Sequence, residues 1–437
     1  MAQFITVEEA LDLVKDGDQI VAASTACEPR AFLSKLHTIA PRINHVTINN
    51  CLGWTDFEFF TNKEYEDKFM LVSWFYGAAL RKMPLRKNIT VIPSHLRFCG
   101  KKRLSHIHTN IYVGMATYPD EHGKISLSLS NVYEREAIEA ADIVILEVNK
   151  KAPWTFGEEM IIDESMVDYM IPVDYDMIVI PDKESTDKEL AIGSILANEI
   201  HDGDCLQLGI GGIPNALAKS LYNKKHLGVA TEMLTSEMMN LAKAGVIDNS
   251  MKQIDKGKMT ASFIMGTPEL YEWVNNNPAV YMKKCSTTND PNVVAMNDNQ
   301  VSVNTAIEVD LTGQVAAETI GARQFSGTGG ATEMAVGAQM SKGGRSYLCL
   351  FSTQMVRNAD DPTKRHEVSK IVPGFKPGTQ VSLSRNDIEY LVTEYGCVNL
   401  LGTSLDERVR LIISVAAPQY REWLLEQAYE YGLLGKE

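Results

Sequence analysis

The sequence predicts two tandem open α/β domains with mostly parallel sheets, and three observations support this fold class. The chain has 437 residues. A single hydrophobic core rarely supports a chain of this length, so two domains are expected. Residues 206–231 are typical of a strand, a glycine turn, a helix and a second strand, which is the unit of a parallel sheet. An Asp-Gly-Asp turn, an apolar run and a proline-initiated helix occur at residues 16–36 and again at 202–221. This self-similarity favours two copies of one fold, although two generic βα units would give the same pattern.

The first domain is predicted to span residues 1–185. It opens with an amphipathic helix pattern at residues 6–15, a strand at 19–23 and a helix that begins at Pro29. Apolar runs bounded by Pro, Gly and Asn predict further strands at residues 45–49, 90–92, 110–116, 126–129 and 143–148. The stretch at residues 181–189 contains few apolar side chains, so we expect the linker between the domains there.

The second domain is predicted to span residues 186–437. Its first strand is expected at residues 206–210, Gly211 and Gly212 supply a tight turn, and Pro214 suits the first position of a helix. Later apolar or alternating patterns predict strands at residues 227–231, 301–310 and 347–351, and a closing helix at 418–431.

Composition and charge exclude several classes of function. The chain is 45% hydrophobic and carries a net charge of −14, which argues against nucleic acid or an anionic membrane surface as the main partner. The seven cysteines are scattered without a Cys-x-x-Cys pair, so neither a zinc site nor a disulfide framework is indicated. No apolar run reaches spanning length and the N-terminus lacks a secretory pattern, so we expect a cytoplasmic protein.

The glycine turn and Glu232 are the first candidates for a functional site. In a right-handed unit with parallel strands, both lie near the carboxyl edge of the sheet, where open α/β folds bind ligands. Free backbone N–H groups at a helix N-terminus favour a phosphate or a developing oxyanion. Pro214 stands where the dinucleotide fingerprint requires a third glycine, and the Walker pattern is also incomplete. A purely structural glycine turn that caps a helix fits the same residues.

Seven motifs together resemble the 4-hydroxybutyrate and butyrate:acetate CoA-transferases of the acetyl-CoA hydrolase/transferase superfamily. They occur in the family's order over nearly the whole chain, so the resemblance implies a CoA-transferase-like fold. The motifs are Pro-Asp-Glu-His-Gly (119–123), Gly-Ile-Gly-Gly-Ile-Pro-Asn-Ala (209–216), Leu-Gly-Val-Ala-Thr-Glu-Met (227–233), Asn-Thr-Ala-Ile-Glu-Val-Asp-Leu-Thr-Gly-Gln (304–314), Phe-Ser-Gly-Thr-Gly-Gly (325–330), Ser-Lys-Gly-Gly (341–344) and Val-Thr-Glu-Tyr-Gly (392–396).

The resemblance implies transfer of CoA between a short-chain acyl-CoA and a short-chain carboxylate such as acetate, butyrate or 4-hydroxybutyrate. In that family a glutamate attacks the thioester and passes through a mixed anhydride to a glutamyl-CoA thioester, from which an incoming acid takes the CoA. The glutamate of the Thr-Glu-Met motif falls on Glu232. Such covalent catalysis divides one hard transfer into easier exchanges in a ping-pong sequence.

The resemblance also implies which residues contact CoA and what the enzyme requires. The implied CoA and oxyanion contacts are Gly209, Ile210, Gly211, Gly212, Ile213, Ile307 and Gly330. We add Arg357, which follows the predicted strand at 347–351, as a weaker candidate for a CoA phosphate; a solvated surface arginine fits equally well. No metal and no cofactor beyond the CoA thioester substrate are expected. The expected partners are acyl-CoA, a short carboxylic acid and further copies of the chain.

Two departures from the family pattern bear on the substrate. The family commonly has His before Thr-Glu-Met, whereas this chain has Ala230, and it usually has Gln-x-Asp-Phe where this chain has residues 331–334 with Glu333. Loss of an imidazole beside the nucleophile can change which acid is accepted. Glu333 is the serious competitor of Glu232 as nucleophile, because it follows the second glycine cluster at a position where the family usually differs, whereas Glu237 and Glu394 are expected within a helix and a strand region.

Three other functions compete with CoA transfer. An acyl-CoA hydrolase on the same fold would use water instead of a carboxylate to resolve the intermediate. A non-catalytic acyl-CoA sensor would keep the glycine loops and dispense with Glu232. A dinucleotide-dependent oxidoreductase is disfavoured by the incomplete fingerprint.

Overall fold

The computed structural model describes residues 2–83, 87–209, 211–358, 361 and 363–435. In the first half, helices and strands alternate along the chain up to residue 116, as is typical of the α/β class. They are β1 (Gln3–Phe4), α1 (Val7–Asp12), β2 (Gln19–Ala22), α2 (Arg30–Lys35), β3 (Val46–Asn50), α3 (Glu58–Thr61), β4 (Phe69–Ser73), α4 (Ala78–Arg81), β5 (Ile89–Val91), α5 (Cys99–Leu104), β6 (Thr109–Ala116), β7 (Lys124–Ser126), α6 (Glu134–Ala140), β8 (Ala141–Asn149), β9 (Phe156–Gly157), β10 (Ile161–Asp163) and β11 (Tyr169–Val173).

The first half is built on one eight-stranded sheet. Its strand order is β1-β11-β8-β6-β2-β3-β4-β5, and every neighbouring pair is parallel. All five residues of β3 are buried, as expected of a parallel strand covered on both faces. Helix α2 packs Phe32 and Leu33 into a core with Ile20 of β2, so the apolar spacing of this helix fixes it against the sheet.

The second half contains the remaining regular elements, which begin with a helix. They are α7 (Asp187–Glu199), β12 (Cys205–Leu208), α8 (Gly212–Lys219), β13 (Gly228–Val229), β14 (Met233–Leu234), α9 (Ser236–Lys243), β15 (Met259–Ala261), β16 (Phe263–Ile264), α10 (Pro268–Val274), β17 (Val280–Met282), α11 (Cys285–Thr288), α12 (Pro291–Val294), β18 (Gln300–Thr305), β19 (Glu308–Asp310), β20 (Val315–Ala316), β21 (Thr319–Ile320), β22 (Arg323–Gln324), α13 (Ala331–Met340), β23 (Arg345–Cys349), β24 (Thr353–Arg357), β25 (Arg365–Ser369), β26 (Ile371–Val372), β27 (Tyr390–Thr393), β28 (Gly396–Asn399), α14 (Leu405–Ser414) and α15 (Pro418–Glu430).

The main sheet of the second half repeats the topology of the first. Its order is β13-β12-β18-β23-β27-β28, and all pairs except the hairpin β27–β28 are parallel. The strand order β3-β2-β6-β8-β11 of the first sheet matches β13-β12-β18-β23-β27 of the second. The two Asp-Gly-Asp turns also match: Asp18 accepts the backbone N–H of Lys15 at 2.7 Å, and Asp204 accepts that of His201 at 2.7 Å. The predicted fold class, mostly parallel α/β with an internal repeat, is confirmed.

The two halves share hydrogen bonds and a core. Strand β9 of the first half pairs with β17 of the second, and one hydrophobic cluster contains buried residues of both halves, such as Tyr133 and Phe263. Residues 174–186 contain no helix or strand, and the predicted domain boundary near residue 185 falls in this segment. Because strand pairing crosses it, the division into residues 1–185 and 186–437 stays a prediction.

Several element bounds differ from the predicted ones for physical reasons. The predicted strand at 126–129 ends at Ser126 in β7, because Ser128 has a φ of 65°, which interrupts extended backbone. The predicted strand at 301–310 is divided into β18 and β19. Helix α7 begins within the predicted linker because Thr186 and Glu189 form a capping box. Strands β4 and β11 were not predicted, and none of the helices in the described residues has the length and apolar character to cross a membrane.

Candidate active site

A cavity of about 440 Å³ lies at the carboxyl edge of the second sheet, and residues of the first half close it. The first half contributes Leu52, Phe75 and Arg81. Of the residues singled out from the sequence, the structure brings these into the wall: Gly209, Gly211, Gly212, Ile213, Glu232, Ile307 and Gly330. Ile210 lies outside the described residues. Arg357 is not among the lining residues; it ends the exposed strand β24 opposite Arg365 of β25.

The glycine turn brings the end of helix α8 to the cavity. Gly211 has a φ of 125° and is the N-cap of α8, a conformation that favours glycine. A Cβ at Gly212 would lie 1.7 Å from Oε1 of Glu189, so any larger residue there would have to displace the Glu189 carboxylate. The helix begins two residues before Pro214 and buries Ala216 and Leu217. Its N-terminus is therefore fixed at the cavity, where backbone N–H groups favour an anion.

The corresponding helix end of the first half, at α2, is not open, because Glu147 fills that place. Helix α2 follows β2 as α8 follows β12. The carboxylate of Glu147 on β8 accepts the backbone N–H of Phe32 at 2.6 Å and of Ala31 at 3.1 Å. Burial raises the pKa of Glu147 to about 7, although these hydrogen bonds act against the shift. The Glu147 carboxylate thus accepts the free backbone N–H groups at the N-terminus of α2. The N-terminus of α8 faces the cavity instead.

Glu232 lies between β13 and β14, with its carboxylate in the cavity wall. Nδ2 of Asn289 donates a hydrogen bond to Oε2 of Glu232 at 2.7 Å, and the backbone N–H of Gly330 donates a second. The side chain keeps some exposed surface inside the cavity, yet protein surrounds it, and this burial raises the pKa of Glu232 to about 7. The two donors act in the opposite direction because they stabilise the ionised form. Near neutral pH the carboxylate is therefore available as a nucleophile.

Gly330 permits the contact between backbone and carboxylate. A Cβ at this position would lie 2.0 Å from Oε2 of Glu232 and 2.1 Å from Nδ2 of Asn289. Gly330 is also the N-cap of the ten-residue helix α13, so the positive end of a helix dipole lies beside the carboxylate. The second glycine cluster therefore contributes to the same site as Glu232.

Glu333 is close to this site but is held by the first half of the protein. Its carboxylate lies 3.2 Å from Nε of Arg97 and accepts a longer hydrogen bond, 3.4 Å, from Nδ2 of Asn289. Burial raises the pKa of Glu333 to about 8, with the charge of Glu232 adding to the shift and Arg97 opposing it. The side chain is 3% exposed and does not line the cavity. Glu333 is therefore in a poorer position than Glu232 to meet a substrate.

The other two carboxylates considered from the sequence are engaged elsewhere. Glu237 lies in α9 and forms an ion pair with Lys219 at 3.4 Å. Glu394 follows β27, accepts hydrogen bonds from Ser352 and forms an ion pair with Lys188 at 3.1 Å. Neither residue is among those that line the cavity.

Sequence reasoning missed Asn289, the side chain that donates to both Glu232 and Glu333. It is fully buried after α11, and its Oδ1 accepts a hydrogen bond from Thr288 at 2.9 Å. The polar run at residues 287–290 precedes Pro291 and has the composition of an ordinary turn. Because 57 residues separate Asn289 from Glu232, no local pattern could have linked them.

Ala230 lines a second, smaller cavity next to the segment that carries Glu232. This cavity of about 20 Å³ is lined by Ala230 and Thr231 together with Asp255, Lys283 and Thr288. Asp255 and Lys283 form an ion pair at 2.9 Å there. Ala230, which replaces the histidine common in the family, is therefore part of the wall of this small cavity next to the segment that carries Glu232.

Comparisons with known proteins agree with this geometry. Models of the acetyl-CoA hydrolase/transferase N-terminal and C-terminal domains match residues 1–181 and 266–428. The chain is 42% identical to the 4-hydroxybutyrate coenzyme A transferase of Clostridium kluyveri over 97% of each chain. It is 33% identical to the butyryl-CoA:acetate CoA-transferase of Anaerostipes caccae over 97% of this chain and 95% of that one.

Among solved structures, RipA from Yersinia pestis has a TM-score of 0.91 at 30% identity and covers 99% of this chain and 98% of its own. The two family domains match this chain in sequence order. Because relatives above 30% identity also span nearly all of it, the chain belongs to the acetyl-CoA hydrolase/transferase family.

Proposed function

We propose that the protein is a CoA-transferase that moves CoA from a short-chain acyl-CoA to a short-chain carboxylate through a glutamyl-CoA thioester on Glu232. The observation that carries this proposal is the position of Glu232, which lies in the wall of the main cavity between two hydrogen-bond donors. The relatives named as CoA-transferases support the class of reaction.

The reaction proceeds in two balanced halves. Glu232 attacks the acyl carbonyl, the C–S bond breaks, and a mixed anhydride and the CoA thiolate form. The thiolate then attacks the glutamyl carbonyl and releases the first acid as its carboxylate, which leaves the glutamyl-CoA thioester. A second carboxylate repeats these steps in reverse, takes the CoA and regenerates ionised Glu232. The enzyme thus exchanges bonds of comparable energy by covalent catalysis.

The groups around Glu232 fit the charges that develop in these steps. Each attack produces a tetrahedral oxyanion, which needs donors fixed in advance. The amide of Asn289 and the backbone N–H of Gly330 already lie at the carboxylate, and the N-terminus of α8 opens on the same cavity. A well-aimed donor of this kind contributes roughly 3–4 kcal/mol.

The first half supplies apolar surface for the acyl group. Leu52 and Phe75 line the cavity, and a Cβ at Gly329 would lie 3.2 Å from the ring of Phe75. Gly329 directly precedes Gly330, so this apolar wall lies near the reacting carboxylate. A short aliphatic chain is the kind of group that such a wall accommodates.

The test is steady-state kinetics with acetyl-CoA and butyrate, together with isotope exchange. Double-reciprocal plots at several butyrate concentrations should be parallel, because acetate leaves before butyrate reacts. Labelled acetate should also enter acetyl-CoA without a second acid. Intersecting lines together with no exchange would contradict the proposal. The family's name includes hydrolases, and release of free thiol without any added acid would favour that alternative.

The cofactor requirement, the location in the cell and the oligomeric state also follow from the proposed reaction and the sequence as proposals. We propose that the enzyme needs no metal and no cofactor besides its CoA thioester substrate, because a carboxylate, an amide and backbone donors supply every step above. Dialysis against a chelator should then leave turnover unchanged. We also propose a cytoplasmic homo-oligomer with neither nucleic acid nor a membrane as partner, which sedimentation and cell fractionation can test.

A further inference from the structure

Two cationic side chains, Arg81 and Lys370, line the main cavity within the described residues. Nε of Arg81 donates to the backbone oxygen of Phe325 at 3.0 Å, and its guanidinium lies 4.6 Å from the centre of that ring. Lys370 differs, because no described residue forms an ion pair or a hydrogen bond with its ammonium group. Lys370 is therefore the cavity cation that is free to meet an anionic ligand.

Two carboxylates, Glu308 and Glu394, lie near Lys370 and their charges favour its ammonium form, but within the described residues neither forms an ion pair with it. Glu394 is matched by Lys188, with which it forms an ion pair at 3.1 Å. Burial raises the pKa of Glu308, and the charge of Lys370 opposes that shift. Burial also lowers the pKa of the Lys370 ammonium, which shows that its charge is incompletely solvated. An anion from the substrate would stabilise the ammonium.

The backbone places Lys370 at a defined point along the sheet edge. Its N–H donates to the oxygen of Ser352 at 2.8 Å, and its own oxygen accepts the N–H of Val309 at 3.0 Å. Lys370 thus lies beside the carboxyl ends of β18 and β23, whereas Glu232 follows β13. In the order β13-β12-β18-β23, β18 and β23 lie two and three strand spacings from β13, so these places are about 10–14 Å apart at roughly 4.8 Å per spacing.

We propose that Lys370 binds a phosphate group of CoA while the thioester lies at Glu232. The separation suits the extended pantetheine arm, which joins the thiol to the phosphates, and the glycine turn before α8 lies between the two ends. A local cation is also needed because the chain carries a net charge of −14 and would otherwise repel CoA. This inference rests on the proposed function in taking CoA as the ligand, and it places the phosphate contact at Lys370 instead of Arg357.

The test is calorimetric binding of CoA and of pantetheine, which lacks the phosphates, to the full-length protein. Lys370→Met removes the charge and keeps the length of the side chain, and Lys370→Arg restores a cation. Lys364→Met is the matched control, because Lys364 is exposed and pairs with Asp361. Lys370→Met should weaken CoA binding by about tenfold, as expected for one lost charge-assisted contact, and should leave pantetheine binding unchanged.

Further results decide between Lys370 and the alternatives. Lys370→Arg should recover most of the CoA affinity, and added salt should weaken CoA binding less in Lys370→Met than in the unaltered protein. Three results would overturn the assignment and leave the proposed function intact. The first is an unchanged CoA affinity in Lys370→Met, and the second is an equal loss of pantetheine affinity in that variant. The third is a tenfold loss of CoA affinity in Arg357→Met in place of Lys370→Met. If the unaltered protein did not bind CoA, both would fail. Equal melting temperatures of the variants show that a loss is not due to unfolding.

Discussion

The backbone of Gly330 lies so close to Glu232 that a Cβ at residue 330 would be 2.0 Å from the carboxylate oxygen Oε2. The two residues come from different motifs, one at the N-terminus of α13 and the other after β13. Their contact joins the second glycine cluster to the Thr-Glu-Met segment in one site. It also gives the carboxylate a backbone donor that cannot move without moving the helix.

Gly330→Ala should therefore damage catalysis much more than folding. The added methyl group must displace Glu232 or Asn289, and a displacement on the order of 1 Å can lower the rate by about 10²-fold. We expect kcat with acetyl-CoA and butyrate to fall by at least that factor. Gly435→Ala is the matched control, since a Cβ there meets no atom within 4 Å. Normal turnover in Gly330→Ala would show that the contact is unimportant.

Replacing Glu232 and Glu333 separately should identify the nucleophile. Glu232→Gln should still bind acyl-CoA but lose turnover and the covalent CoA adduct detected by intact-protein mass spectrometry. Glu232→Asp, which withdraws the carboxylate by about one bond length, should cost about 10²-fold in rate. Glu333→Gln should still form the adduct, because Glu333 is outside the cavity wall. An adduct that persists in Glu232→Gln and disappears in Glu333→Gln would reverse the assignment.

The pH profile of the first half-reaction should follow the ionisation of Glu232. Because the pKa of Glu232 is about 7, kcat/KM for acyl-CoA should rise with pH and level off above that value. Asn289 stabilises the ionised form, so Asn289→Ala should move the midpoint to higher pH as well as lower the plateau. The exposed residue Asn292 provides the control Asn292→Ala. A profile that is flat from pH 5 to 9 in the unaltered enzyme would contradict this prediction.

Glu333 should make the protein less stable as the pH rises. Its pKa is raised from 4.5 to about 8 in the folded protein, so the unfolded chain loses this proton first. The stability that the neutral carboxyl contributes is fully present below pH 4.5 and is lost as the pH approaches 8. Glu333→Gln should remove the share of this dependence that Glu333 contributes, which amounts to at most about 1.4 kcal/mol per pH unit for one proton, and leave that of Glu147 and Glu232. Urea unfolding at pH 5, 6, 7 and 8 measures it, and parallel curves for both proteins would refute it.

The sequence by itself determined the α/β class, the internal repeat and the glycine turn beside Glu232. These features depend on short-range patterns. Alternating apolar runs and helical stripes fix the elements, a repeated Asp-Gly-Asp turn marks the two copies, and glycine permits a close approach of the backbone. The resemblance of the motifs to a known family added the prediction that Glu232 is the nucleophile.

Only the tertiary structure decided which side chains meet Glu232 and which cation faces the cavity. Asn289 lies 57 residues from Glu232 along the chain, Arg97 reaches Glu333 from the first half, and Lys370 lines the cavity from which Arg357 is absent. Parallel strands bring their carboxyl ends, and with them Glu232 and Lys370, to one edge of the sheet, whereas Asn289 and Arg97 come from segments outside the strands. Strand order sets which residues meet there, and strand order is a property of long-range packing that no local pattern encodes.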